Sequence, residues 1–213
     1  MPLVKTQAEG INLADTFAFT GTLSGTSDLI KLYQNTFGTV SQVLINSVFS
    51  TTYDHYKIVG SVEVDTSCIC RLYMTSGGAS PADATNTAVY MGEGGNRAAS
   101  TSYIGATSNG SSAYMTFPNN NNIYVNNVCS FQIELHDMFA GIVNGEGSPA
   151  RERHFSFNCS EKNVNASDYH QHWGGGHFRN NDSSHMPEVT GLKFAPSSGN
   201  FTEGNIAVYA YKK

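Results

Sequence analysis

The densest set of side chains able to do chemistry is the run Ser167-Asp168-Tyr169-His170-Gln171-His172-Trp173-Gly174-Gly175-Gly176-His177-Phe178-Arg179. It holds three of the seven histidines and the one tryptophan of the chain. Two chemistries fit these residue types. A sugar is held by an aromatic face against the apolar side of its ring, while amides, imidazoles and guanidinium groups hydrogen-bond its hydroxyls. Tyr169, His170, Gln171, Trp173 and Arg179, with Asn180 and Asn181 behind them, supply that set and are the candidate partner- or glycan-binding residues. The second chemistry is a first-row transition metal. In an extended run, Asp168, His170 and His172 project to one face about 6–7 Å apart. Imidazole and carboxylate can converge on such an ion, which makes His170 and His172 the candidate ligands. The alternative to both is a histidine cluster that carries no ion, with Trp173 plugging the end of the fold. Three glycines in a row cost backbone entropy that disfavours a strand interior. The segment is therefore expected to form an exposed loop or edge at one end of the molecule.

Signals for catalysis are weak elsewhere. There is no G-x-S-x-G nucleophile elbow. Glu93, Glu134, Asp137 and Glu146 could pair for glycoside cleavage, but nothing in the sequence sets the separation of about 5–10 Å that this chemistry needs. Gly92-Glu93-Gly94-Gly95-Asn96 opens no helix, so it makes no phosphate cradle. A cupin-type metal enzyme needs a Glu shortly after its H-x-H; the position five residues after His172 is His177, and no Glu follows until Glu188. The expectation is a protein that is not an enzyme and holds no cofactor.

The elements that must position these residues are strands. Of the 213 residues, 14% are charged, against about 25% in ordinary globular chains. The 12 Phe and 11 Tyr exclude a disordered tail. Ser, Thr and Asn replace the missing charge and favour strand surfaces and turns over helix. Period-two alternation marks short strands in Phe17–Phe19, Val40–Ile45, Tyr56–Val64, Cys68–Met74, Ala88–Met91, Ala113–Phe117, Ile123–Val125, Val128–Leu135, His154–Asn158, Val189–Phe194 and Ile206–Tyr211. Gly77–Pro81, Gly92–Asn96, Asn119–Asn122 and Gly174–Gly176 read as loops between them. Tyr56–Val64 and Cys68–Met74 look like a hairpin about Asp65-Thr66-Ser67. The fold class is all-β, an antiparallel β-sandwich or barrel with long Gly/Asn/Ser-rich loops. Residues 1–14 lack a strand pattern and are expected to be an N-terminal arm, with 15–213 a single domain.

The net charge is −5, with no basic run, so nucleic acid is not an expected partner. No apolar run reaches the roughly 20 residues needed to cross a bilayer, and the first residues lack an apolar leader core; no membrane association is expected. Cys68, Cys70, Cys129 and Cys159 do not make the two close pairs of a zinc site. They read as buried free thiols acting as small hydrophobes.

The two ends carry a resemblance. Gly10-Ile11-Asn12-Leu13-Ala14-Asp15-Thr16-Phe17 resembles an opening seen in structural proteins of tailed, especially marine, bacteriophages. Ser198-Gly199-Asn200-Phe201-Thr202-Glu203-Gly204 through Tyr211 is similar to the last strand of phage jelly-roll domains. Tyr53–Val59 and Arg71-Leu72-Tyr73 stand where such proteins have a long strand and an "R-L" strand. The resemblance implies a jelly-roll sandwich in a non-enzymatic virion protein, such as a tail or fibre component that contacts a host surface glycan. It further implies a homotrimer with other virion proteins as partners, and a virion location. A capsid decoration (cement) protein, or a free carbohydrate-binding module, is the alternative. Tyr53, Tyr56, Tyr73, Tyr90 and Tyr103 would be the aromatic faces for such contacts, or ordinary half-buried sandwich aromatics.

Overall fold

The computed structural model describes residues 28–76, 82–83, 87–97, 101–109, 114–117, 123–136, 138, 153–162, 169–180 and 189–212. Side chains are described for these except 76, 82–83, 87–97, 101–109, 162, 169–170 and 179–180. The expected arm 1–14 and the strand about Phe17–Phe19 lie outside the described residues.

Among the described residues the regular structure is all strand: β1 (Leu29–Phe37), β2 (Val43–Ile45), β3 (Tyr56–Val64), β4 (Cys70–Ser76), β5 (Ala82–Asp83), β6 (Thr87–Arg97), β7 (Thr101–Asn109), β8 (Tyr114–Phe117), β9 (Cys129–His136), β10 (Arg153–Lys162), β11 (Tyr169–Asn180), β12 (Gly191–Pro196) and β13 (Phe201–Tyr211). They form two antiparallel sheets. The larger has eight strands in the order β1-β13-β3-β9-β10-β11-β6-β7; the smaller has five, β2-β12-β4-β5 with β8 also on β4.

Alternation drives the sheets together. In β9, Cys129, Phe131, Ile133 and Leu135 are buried while Ser130 and Gln132 are exposed. In β10, Phe155, Phe157 and Cys159 are buried while His154, Ser156, Asn158 and Ser160 are exposed. Period two sends one set to the facing sheet and the other to solvent. Phe131 of the large sheet interlocks with Phe117 and Phe194 of the small one, with ring centroids 5.0 and 5.6 Å away. Full burial of each such ring contributes about 1.5–3 kcal/mol. The result is a β-sandwich with its core between the sheets.

The expected hairpin does not form. β3 pairs with β13 and β9 in the large sheet, whereas β4 pairs with β12, β5 and β8 in the small one. Asp65-Thr66-Ser67 therefore carries the chain from one sheet to the other. It has no tight-turn dipeptide to fold the chain back on itself, and long-range contacts hold it instead. The Asp65 N–H donates to the Asn200 carbonyl at 3.0 Å. The Asp65 carboxylate accepts the Asn200 N–H at 2.8 Å and its side-chain amide at 2.9 Å. Gly199 turns the facing loop with φ +68°, and a Cβ there would strike the Asp65 carboxylate. Beyond the crossing, Cys68 bridges to Ile123. That bridge is the extended part of the expected strand 123–125; the chain turns at once, with φ 63° at Asn126.

Of the tyrosines read either as contact faces or as half-buried sandwich aromatics, Tyr56 is buried. Its hydroxyl accepts the Ser50 N–H and donates to the Ser50 carbonyl, each at 3.0 Å. Tyr53 and Tyr73 are half-buried; the side chains of Tyr90 and Tyr103 lie outside the described residues. All four cysteines are free and buried. Burial pushes the Cys68 thiol up and the Cys70 thiol further.

Two outcomes follow. Hydrogen bonds from Asn200 hold the Asp65 carboxyl below the usual carboxylate range. Stability from this contact is complete above that range and lost as pH falls through the depressed value. The melting temperature should fall less on acidification below about pH 4 in Asp65→Asn than in the wild type; equal slopes would show that the contact contributes nothing. The four thiols, all buried, should react with a thiol-specific dye only when denaturant is added.

Candidate functional site

Tyr169–Asn180 forms neither a loop nor an edge. β11 is a 12-residue strand inside the large sheet, paired with β10 along one side and β6 along the other. The glycine cost, about 0.5–1 kcal/mol each relative to Ala, is offset by ladders on both sides. Gly174 and Gly176 lie opposite Phe157 and Phe155, a pairing of small with large residues that favours this register. At Gly175 a Cβ would come 2.8 Å from the Phe155 carbonyl oxygen, too close for any side chain without backbone movement. Gly92-Glu93-Gly94-Gly95-Asn96, also expected to break regular structure, is the middle of β6 and pairs with the glycine-rich part of β11.

Strand alternation divides the sequence candidates between two faces. Phe178 and His172 are buried, while Gln171 and Trp173 are exposed. The positions of Tyr169 and Arg179 belong to the same alternating set as Trp173; that of His170 belongs to the set of His172. The side chains of Tyr169, His170 and Arg179 lie outside the described residues.

Trp173 is 41% exposed, so it is not the plug of the sandwich. It stands in a cross-strand row that runs Gln132, Asn158, Trp173, Gly94 from β9 to β6. Along β11 its neighbours on this face are Gln171 and Gly175. On two sides, then, a glycine stands where a side chain would shield the ring. On the others, the exposed amides of Gln132, Asn158 and Gln171 and the hydroxyls of Ser156 and Ser160 surround it. The Gln132 amide donates to the Glu134 carboxylate at 3.1 Å. That carboxylate also meets Lys57 at 3.4 Å and accepts the Tyr211 hydroxyl at 2.9 Å. Glu134 is thereby tied into the sheet. Such a face can stack an apolar ring surface and exchange hydrogen bonds around its rim.

The inner face has a different character. His172 is 1% exposed and lies opposite Cys159 on β10, one row from buried Glu161. Burial lowers the Arg153 guanidinium to about 10. No three of the described His, Cys, Asp and Glu side chains converge to hold a metal ion, and His172 is shut away from the surface on which the sequence imagined a cluster. Of the acids considered for hydrolysis, Glu134 is on the outer face and the position of Glu93, opposite Gly174, falls in the inner set. Asp137 and Glu146 lie outside the described residues.

Two other surfaces compare poorly with the Trp173 face. The outer face of the small sheet carries Tyr73 and Tyr114, but Lys193 lies 4.0 Å over the first ring and Arg71 4.7 Å over the second, so both π-faces are already covered. A groove of about 430 Å³ at the far end of the large sheet is lined by Glu63 and Glu203, which face each other across the ladder, beside Thr36, Ser61 and Asn205. It offers acids and hydroxyls but no exposed aromatic face.

Asn158, Gln132, Ser156 and Ser160 were missed as site residues. Their exposed parity was readable in β9 and β10, but the pairing that sets them beside Trp173 was not. No family model, curated protein or solved structure matches the chain.

The exposure of Trp173 sets its energetic role. Trp173→Ala should cost about 1 kcal/mol or less in urea denaturation, near the surface range. Phe157→Ala, one strand away but facing inward, should cost about 3–5 kcal/mol. A loss of that size at Trp173 would mean that its ring is packed rather than presented.

Proposed function

We propose that the protein is a non-enzymatic binding module that contacts a glycan through the outer face of the large sheet. The observation that carries this reading is the indole of Trp173, 41% exposed and set between glycine positions on two sides and amides and hydroxyls on the others. An uncapped aromatic face in this setting favours a flat ligand with one apolar side and a rim of hydroxyls. Charged residues make up 14% of the chain, which also fits a neutral, hydroxyl-rich partner.

The resemblance of the chain ends to phage virion proteins supplies the biological setting. It makes the module a tail or fibre component of a virion, homotrimeric, with the host surface glycan as its target. We read the sandwich as jelly-roll type on the same ground, supported by the repeated passage between sheets through β1, β2, β3 and β4. If the protein lies on the head in intact particles, as electron microscopy with a specific antibody would report, the decoration-protein alternative takes its place.

The sole tryptophan makes the test direct, because intrinsic indole fluorescence reports Trp173 alone. Full-length protein should retain a subset of glycans on an array, and each hit should shift Trp173 emission in titration. Trp173→Ala should weaken binding by calorimetry about 30-fold, the hot-spot scale of 2 kcal/mol, while remaining folded. Unchanged affinity in the folded variant would sink the proposal, as would an array without hits.

A further inference from the structure

Four of the seven histidines fall on one cross-strand row of the large sheet. His136 on β9 lies opposite His154 on β10, and His154 lies opposite His177 on β11. His55 directly precedes β3, and continuing the β3–β9 register one step past Tyr56 and Leu135 puts it opposite His136. Its carbonyl accepts the Tyr211 N–H at 3.0 Å, which fixes its backbone at the end of β13. All four belong to the outward alternating set, and none is buried.

The imidazoles meet in pairs. The rings of His55 and His136 have centroids 5.5 Å apart, and those of His154 and His177 have centroids 6.2 Å apart. Metal–nitrogen bonds of about 2.0–2.1 Å put two imidazoles that share one ion at ring-centre separations of roughly 4.5–6.5 Å. Both pairs are within that range. Strands fix the backbone spacing, so little order has to be created on binding. Glu134, an acid on this face, is engaged by Lys57 and Tyr211. The row continues to the position of Tyr90 on β6, and Arg179 is the next outward position on β11. Imidazole is thus the dominant ligand type on offer, which suits copper, nickel and zinc rather than calcium or magnesium.

We propose that the row His55, His136, His154 and His177 binds divalent first-row transition metal ions, two imidazoles to each ion, with water completing the coordination. The site differs from the His170 and His172 pair read from the sequence. It also stands independently of the glycan reading, since His177 is four residues along β11 from Trp173, about 13 Å.

The test uses full-length protein freed of metal with a chelator, then titrated calorimetrically with nickel or copper chloride at pH 7.5. Binding of up to two ions per chain is expected, tighter for copper than for nickel. His154→Ala should remove one ion, and His136→Ala with His154→Ala should weaken the remaining binding at least tenfold. Copper-bound wild type should show imidazole nitrogen couplings in its electron paramagnetic resonance spectrum, a readout that needs no variant. Trp173→Ala should bind metal as the wild type does. The proposal is overturned if the wild type takes up no metal, if the spectrum lacks nitrogen couplings, or if binding survives the double substitution. Loss of binding through His170→Ala with His172→Ala alone would likewise overturn it.

Discussion

The register between β10 and β11 is the constraint on which both faces of the large sheet depend. A slip of one residue would exchange the two alternating sets, turning Phe155 and Phe157 out to water and Trp173 inward. The inner face prevents this. Phe157 opposes Gly174, Phe155 opposes Gly176, and Cys159 opposes His172, so large side chains meet small ones where the sheet is covered. The Phe155 ring also lies 5.0 Å from that of Phe178. What is displayed outside follows from what is packed inside.

The glycines of β6 and β11 have opposite effects on the two faces. Inside, Gly174 and Gly176 of β11 lie opposite Phe157 and Phe155 of β10. Outside, Gly94 and Gly175 leave the Trp173 indole without flanking side chains on two sides. The small sheet shows the usual alternative, in which Tyr73 and Tyr114 are covered by Lys193 and Arg71. Aromatic residues are common on both sheets, and what singles out Trp173 is that no side chain among the described residues caps it.

Parity sorts the histidines in the same way. His172 and His177 are five residues apart on one strand and so face opposite sides, one within the packed interior and one in the outer row. His136 and His154 belong to different strands and are distant in sequence, yet they stand opposite each other. A residue type that looks like one cluster along the chain becomes two populations in the sandwich. The cluster with closely spaced rings is assembled from four separate segments.

Composition and alternation were enough to determine the all-β class, an antiparallel sandwich or barrel, the buried thiols and most strands of the core, because period-two burial is a local property. β9, β10, β12 and β13 could be read from their alternating apolar residues. β11 could not, since Gly174-Gly175-Gly176 has no side chains to alternate, and its strand state depends on β10 and β6 hydrogen-bonding it from both sides. The Asp65–Ser67 crossing was read as a hairpin because local spacing does not show which sheet the next strand will join; Asn200 and Ile123 decide that from far along the chain. The chemistry of Trp173 and Gln171 was legible from residue type. That Asn158 and Gln132 stand beside them, that His172 is turned away from them, and that His55, His136, His154 and His177 share one row were decided by cross-strand register, a long-range property fixed by core packing.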